Sequence, residues 1–477
     1  MNALETLGLH LMRGEIYLAV ATLFLLLYGA YRAPKASSTL VMVTVLILAL
    51  TGFLVYNGGT LPQSIFSGMF VSNAFTFSVK LLIIVASILA MLLATDWLSA
   101  GEGRPFEYAV LVLFATLGMM LMVSAGNLLA LYMALEMMSL SLYVLASFDR
   151  DDKKSAEAGL KYFVLGSLAS GMILFGASLV YGFAGTIDFT MLGKLFAANA
   201  DVSRAVIVGL ILIMVGFCFK ISAAPFHMWA PDVYEGAPTP VTAFFATAPK
   251  VAAMALFARL LYEPFAALKP EWQQIIIAAS ILSMVVGALA AIMQTNIKRL
   301  LAYSSIGHVG FILLGLASGS QSGVQAVLIY LALYVFMSAG MFGCVLISRR
   351  EQIKDFAGLG KTHPLLAATI AAFMFSMAGI PPLSGFFGKM VVLLAAINAG
   401  LFWLAVVAVV ASVIGAYYYI KIVKVMYFDE PAHAIKIHTS PLVVLATVIS
   451  AVVTLGFFLL PSPLLQITSI AAQALVK

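Results

Sequence analysis

The chain has 477 residues, of which 63% are hydrophobic and only 10% charged, with a mean hydropathy of +1.08. A soluble domain carries about 25% charged residues, so a chain this poor in charge cannot cover its own surface in water, and its solvent is lipid. The net charge of +6 would point a soluble protein toward nucleic acid; here the basic residues sit in short loops between apolar runs, where they set topology, and no nucleic-acid partner is expected.

A membrane span needs about twenty apolar residues. In chain order, candidates lie at 14–32, 38–56, 79–97, 108–125, 127–147, 159–183, 204–224, 241–262, 272–293, 300–318, 323–348, 363–398, 401–427 and 440–460. The first run is followed by Arg32 and Lys35 without a small-residue cleavage site, so it reads as a retained helix and not a removed signal peptide. The segment PFHMWAPDVYEGAPTPV (225–241) is interrupted by Pro225, Pro231, Pro238 and Pro240 and cannot be a plain helix. The run at 363–398 is too long for one simple crossing and contains Gly379, Pro381 and Pro382, so a break inside the membrane is expected. Non-helical backbone survives at membrane depth only where it lines protein or water. Cys218 and Cys344 both lie in apolar runs, with no CxxC and no metal-ligand spacing.

The expected fold is an all-α polytopic membrane protein of about fourteen transmembrane helices, with no extramembrane module. Helices four to eight and nine to thirteen look alike in outline, each set having a proline-broken fourth member at an offset of roughly 156 residues. Five helices is an odd number, so the two sets would be inverted repeats, as in many ion transporters. The resulting division is 1–107 for the first three helices, 108–262 and 263–427 for the two repeats, and 428–477 for a last helix. With both termini placed outside, sixteen Lys and Arg fall on the inner side and seven, including Lys80 and Arg259, on the outer side. That bias matches the positive-inside rule and an even helix count.

Three lysines are left over, Lys220, Lys250 and Lys389, together with Glu136. A charge at the bilayer centre costs about 2.5–3.5 kcal/mol on insertion scales, so packing alone does not account for four such residues. Snorkelling to an interface is the bland alternative. It fails for Glu136, which has about nine span residues on each side, and is stronger for Lys220, near the inner end of its helix. Tyr132, Glu136, Ser139 and Tyr143 share one helix face. Lys250 follows Pro249, which frees a carbonyl, and Lys389 follows the Pro381–Pro382 break. A lysine suits proton transfer because burial disfavours its charge and a nearby carboxylate restores it. The expected roles are Glu136 as modulating carboxylate, Lys220 as switch, Lys250 as lateral relay and Lys389 as donor toward the outer side. His227 and His308 lie at or near membrane depth and read equally as hydrogen-bonded structural histidines or as relays. Nothing sets them opposite one another as haem ligands. Lys161 opens the sixth helix beside an inner loop, where a topological role competes with a place in the proton path.

The run GFCFKISAAPFHMWAPDVYEGAPTPVTAFFATAPKVAAMALFARL (216–260) resembles the signature of the antiporter-like membrane subunits of respiratory complex I, NADH–quinone oxidoreductase, and more narrowly its N-type subunit. QTNIKRLLAYSSIGHVGF (294–311) and MAGIPPLSGFFGKM (377–390) resemble the same family. The resemblance implies proton translocation within a larger complex that uses NADH, FMN, iron–sulfur clusters and quinone, none of them bound by this chain. It implies as neighbours an M-type paralogue, the small subunits near the quinone site, and membrane lipid. It implies an energy-transducing membrane, such as a bacterial cytoplasmic membrane, with both termini on the periplasmic side. It maps the family's key residues onto Glu136, Lys220, Lys250 and Lys389, with Lys161 and His227 at motif positions of secondary weight. Two competing readings are a subunit of a multi-subunit cation/proton antiporter and a non-conducting structural or assembly subunit.

Overall fold

The computed structural model describes residues 8–32, 37–99, 105–198, 202–431, 437 and 440–476. Lys35, Arg104, Lys436 and Lys477, all used to orient the chain, lie outside the described residues. Helices α1 (Arg13–Arg32) and α2 (Ser37–Asn57) lead into a hairpin of β1 (Gln63–Ile65) and β2 (Phe70–Ser72), antiparallel with Gln63 opposite Ser72. Then come α3 (Ala74–Leu93), α4 (Thr95–Ser99), α5 (Pro105–Ser124), α6 (Leu128–Ala146), α7 (Lys153–Ala184), α8 (Phe189–Ala198) and α9 (Arg204–Lys220). The centre of the chain is cut into short pieces, α10 (Trp229–Gly236), α11 (Thr239–Phe245) and α12 (Ala248–Tyr262). Next follow α13 (Lys269–Ile292), α14 (Ile297–Ala317), α15 (Gln321–Ser348) and α16 (Leu359–Thr362). The last elements are α17 (Pro364–Ala378), α18 (Ser384–Asn398), α19 (Phe402–Phe428), α20 (Pro441–Gly456) and α21 (Ser462–Leu475).

Among the described residues, twelve helical segments are long and apolar enough to cross a membrane. Each of the fourteen expected segments falls on helix; the two that do not meet that length are those at 204–224 and 363–398, because both break. Polar residues just before the apolar runs set several starts. Asn73 and Thr76 form a reciprocal capping box on α3. Asn127 caps α6 and Asn296 caps α14 through side-chain oxygens. The Asn73 cap starts the third span at Ala74, five residues before the expected 79.

The breaks do not fall where the prolines alone would put them. Helix α9 stops at Lys220, five residues ahead of Pro225, with Ser222 in the left-handed region at φ 62°. Pro231 and Pro240 sit in the first turns of α10 and α11, where the missing donor costs nothing. Helix α17 ends at Gly379 with φ 90°, a conformation glycine adopts without strain, and Pro381 and Pro382 then prevent its continuation. A third break, at Ala246–Thr247, separates α11 from α12 and was not anticipated.

Burial sorts the helices into centre and rim. The segment formed by α11 and α12 is 100% buried and α14 and α15 are 89% buried, whereas α2 and α20 reach only 33% and leave the rest on the outer rim. Glycines let the inner backbones close. A Cβ on Gly176 of α7 would stand 2.5 Å from the Gly209 carbonyl oxygen of α9, and one on Gly287 of α13 would stand 2.5 Å from the Gly307 nitrogen of α14. Two amphipathic helices were not expected. Helix α8 buries Phe189, Leu192 and Phe196, and α21 buries Thr468, Ala471, Ala472 and Leu475.

Candidate functional site: a row of buried lysines

Lys220 is the last residue of α9, and its side chain is buried. An ammonium has three hydrogens to donate. Lys220 Nζ donates to Ser139 Oγ at 2.8 Å, Tyr143 Oη at 3.1 Å and Ser170 Oγ at 3.0 Å, all neutral hydroxyls. Ser139 and Tyr143 come from the face of α6 that also carries Glu136. Glu136 is half-buried, its Oε1 accepts no hydrogen bond from the described residues, and it acts on Lys220 and Tyr143 through space. The spacing expected from sequence therefore places the carboxylate beside the lysine without a direct hydrogen bond.

Lys250 stands in the first turn of α12, just past the unanticipated break, and is 4% exposed. Its Nζ hydrogen-bonds Ser305 Oγ of α14 and lies 5.6 Å from the centre of the Tyr234 ring. The Tyr234 and Tyr334 hydroxyls also face Ser305. Thr247 does not reach the lysine; its hydroxyl donates to the Ala243 and Phe244 carbonyls.

Lys389 lies in α18 and donates to the Ala378 carbonyl at 2.8 Å and to Ser412 Oγ at 2.9 Å. Ala378 is the last residue of α17, so the carbonyl is one that the broken helix leaves without a partner of its own. The amine also sits 4.9 Å from the Phe311 ring centre. Beside it a cavity with about 20 Å³ open to water-sized molecules is lined by Ser304, His308, Ser412 and Tyr419. That is room for about one water.

His308 lies between Lys250 and Lys389, and both act on it through space. Its Nδ1 hydrogen-bonds Tyr330 Oη at 2.7 Å and its Nε2 Tyr419 Oη at 3.1 Å. Tyr419 Oη also meets Ser304 Oγ at 2.6 Å, so Ser304 and His308 use their shared face to hold one tyrosine. With both ring nitrogens engaged by tyrosines, His308 has no nitrogen to offer a metal. His227 is not part of this row. It sits half-buried in the turn after α9, near the Pro225 backbone, with its Nδ1 unpartnered among the described residues.

Lys161 belongs to a separate ion cluster. It pairs with Glu157 and Asp232, both at 2.7 Å, and Asp232 also takes Arg299 at 2.6 Å. Among the described residues no group of three or more His, Cys, Asp or Glu could hold a metal ion.

Sequence reasoning missed two kinds of residue. The first is the set of hydroxyls that line the site: Ser170, Ser305 and Ser412 on the lysines, and Tyr330 and Tyr419 on His308. The second is a set of buried cations that had been counted with the loops. Lys80 is 3% exposed and pairs with Glu15 at 2.5 Å. Arg259 is 1% exposed and donates from Nη1 to the Val123 and Ala125 carbonyls at 2.7 Å each, and from Nε to Glu263. Lys298 is buried against the Ala237 carbonyl and Glu351. The Asn73 cap was the available signal for Lys80, since it puts that lysine two turns inside α3.

The family description "NADH:quinone oxidoreductase/Mrp antiporter, TM" matches residues 125–415, which contain every residue of the row. NADH-quinone oxidoreductase subunit N of Rhodospirillum rubrum is 52% identical over 472 residues, covering 97% of this chain and 96% of that protein. This chain belongs to the subunit N family. A second N-type relative, from Paramagnetospirillum magneticum, is 50% identical over 99% of both chains. Among solved structures, a chain of respiratory complex I from Thermus thermophilus matches with a TM-score of 0.82 and 33% identity over 95% of this chain and 98% of that one. A chain of the Mrp complex from Dietzia sp. matches with a TM-score of 0.84 over 97% and 99%, but at 23% identity it speaks for the fold alone. The chain is therefore an antiporter-like, integral membrane subunit, and the resemblance carried by 216–260, 294–311 and 377–390 extends over nearly its whole length.

Proposed function

We propose that this N-type subunit translocates protons as part of NADH–quinone oxidoreductase, and holds no redox centre itself. The observation that carries the reading is that Lys220, Lys250 and Lys389 are buried at helix breaks, each solvated by hydroxyls or a freed carbonyl, with His308 and its tyrosines between the last two. Such residues at membrane depth are held there for function by default. Glu136 modulates the charge on Lys220, Lys250 relays sideways through Ser305, and Lys389 hands the proton toward the outer side. Electrons would pass from NADH through FMN and iron–sulfur clusters to quinone in other subunits. The M-type paralogue and the small subunits near the quinone site would flank this chain, with both termini on the periplasmic side. The division into two inverted repeats, 108–262 and 263–427, fits the pairing of broken helices α9–α10 and α17–α18.

The test replaces Glu136→Gln and Lys250→Met in the intact complex and measures NADH-driven proton uptake into proteoliposomes. Pumping should fall sharply in both while the complex still assembles; unchanged pumping in both would end the reading. An antiporter subunit without redox partners is the second reading, supported by the shared Mrp fold. Co-purification with flavin and iron–sulfur proteins separates the two. A non-conducting scaffold predicts that the substitutions alter assembly and leave pumping per assembled complex untouched.

A further inference from the structure

Helix α10 touches the surroundings of both inner lysines, yet is fastened on its outer side by part-exposed ion pairs. At one end Trp229 donates from Nε1 to the Phe219 carbonyl at 2.9 Å, the residue next to Lys220. The same indole stacks on Tyr162 at 4.3 Å and 8°, and Tyr162 meets Tyr143, a Lys220 partner, edge-on at 4.9 Å. Five residues along, the Tyr234 ring stands over Lys250, with its hydroxyl buried and facing Ser305. Asp232 and Glu235, on the remaining face, hold the helix to two different partners. Asp232 takes Lys161 of α7 and Arg299 of α14; Glu235 takes Lys154 of α7 at 3.2 Å and the same Arg299 at 3.3 Å. The cluster lines an open cavity of about 160 Å³.

From this juxtaposition we propose that α10 is the lever joining the Lys220 and Lys250 sites, and that Asp232 is the positioning residue that sets it. The inference rests on the proton-translocation reading above. A carboxylate shared between α7 and α14 fixes where α10 sits between them. Moving α10 moves Trp229 against the Lys220 surroundings and Tyr234 over Lys250 together, since the eight residues of this short helix shift as one body. Part-exposed ion pairs contribute little to stability, so a purely structural role for Asp232 predicts almost no effect of removing its charge.

The experiment uses the intact complex in proteoliposomes, with Asp232→Asn, Asp232→Glu, Arg299→Gln, Tyr234→Phe, the double variant Asp232→Asn with Tyr234→Phe, and Lys250→Met. Proton uptake per NADH and per assembled complex is read alongside NADH oxidation by an artificial acceptor. Asp232→Asn and Arg299→Gln should each slow pumping about tenfold, within the range for substitutions along a coupled network, with artificial-acceptor activity unchanged. Asp232→Glu should recover most of the rate. If Asp232 acts through Tyr234, the double variant is no slower than the slower single. Parental pumping in Asp232→Asn, or single defects that multiply in the double variant, overturns the lever. Should Asp232→Asn fail to assemble, parental pumping in both Arg299→Gln and Tyr234→Phe overturns it equally. Lys250→Met keeps the two readings apart. If it and Glu136→Gln both pump normally, the proton reading itself fails; if it is inactive while Asp232→Asn is normal, only the lever fails.

Discussion

Replacing one partner of the buried Glu15–Lys80 pair should harm this protein more than replacing both. The two side chains are 3% and 4% exposed and 2.5 Å apart, joining α1 to α3. Lys80→Met strands a carboxylate; its escape is to take a proton, at a cost of about 3.7 kcal/mol at neutral pH. Glu15→Leu strands an amine whose escape by losing a proton costs about 4.6 kcal/mol, so Glu15→Leu should be the worse single change. Both values lie within the range of about 3–5 kcal/mol found when one member of a buried pair is removed. The double variant Glu15→Leu with Lys80→Met leaves no buried charge and should return to parental stability or exceed it, as apolar replacements of buried pairs often do. The assay is the temperature at which the chain is lost from the detergent-solubilised complex. The expected order is parental or double variant first, then Lys80→Met, then Glu15→Leu. Single variants as stable as the parent, or a double variant no better than the worse single, would show that the pair is not a buried charge couple.

Tyr419→Phe removes the hydroxyl that holds both His308 and Ser304; pumping per assembled complex should drop about a hundredfold, the lower end of the usual range for loss of a proton-transfer group. Tyr417→Phe, on the same helix but 58% exposed on the rim, should pump at the parental rate in the same assay. Ser305→Ala takes away the side-chain hydrogen bond that Lys250 makes among the described residues, and should slow pumping with little change in thermal stability, since the surrounding helices stay packed. Arg259→Lys should be destabilising by about 2 kcal/mol in a thermal assay, because an ammonium is a single point of donation, whereas the planar guanidinium reaches the Val123 and Ala125 carbonyls from Nη1 and Glu263 from Nε, on its other side.

The sequence reveals a charge by its type and a span by its hydropathy, and together they single out the three lysines and Glu136 as charges within spans, which the structure finds buried or half-buried. It does not reveal which serine or tyrosine will face an amine on another helix. Ser305 and Ser304 are adjacent in the chain, yet one meets Lys250 and the other meets Tyr419. Only the rotation of α14 against α12 and α19 decides that, and rotation comes from packing. Hydropathy windows also smoothed over Lys80 and Lys298, because one cation near the end of a run looks like the start of a loop. The break at Thr247 was hidden for a related reason. Thr239–Tyr262 has the length and apolarity of one span, and Pro249 alone did not reveal that the helix stops and restarts two residues before it.

All three lysines of the row lie beside an interruption of helix, and the reason is electrostatic. A continuous helix in lipid spends every backbone donor and acceptor on itself and offers a buried amine nothing. An interrupted helix leaves carbonyls free at its end and amides free at its new start. Lys389 uses such a carbonyl directly, at Ala378. Lys220 sits at a helix C-terminus, where the aligned peptide dipoles favour a cation, while Lys250 sits in a helix first turn, where they oppose one. A proton at Lys220 thus rests in the more favourable local field, and a proton at Lys250 in the less favourable one. That asymmetry is built into the chain by the positions of the breaks, and it gives the proposed relay a resting place and a point of release before any conformational change is invoked.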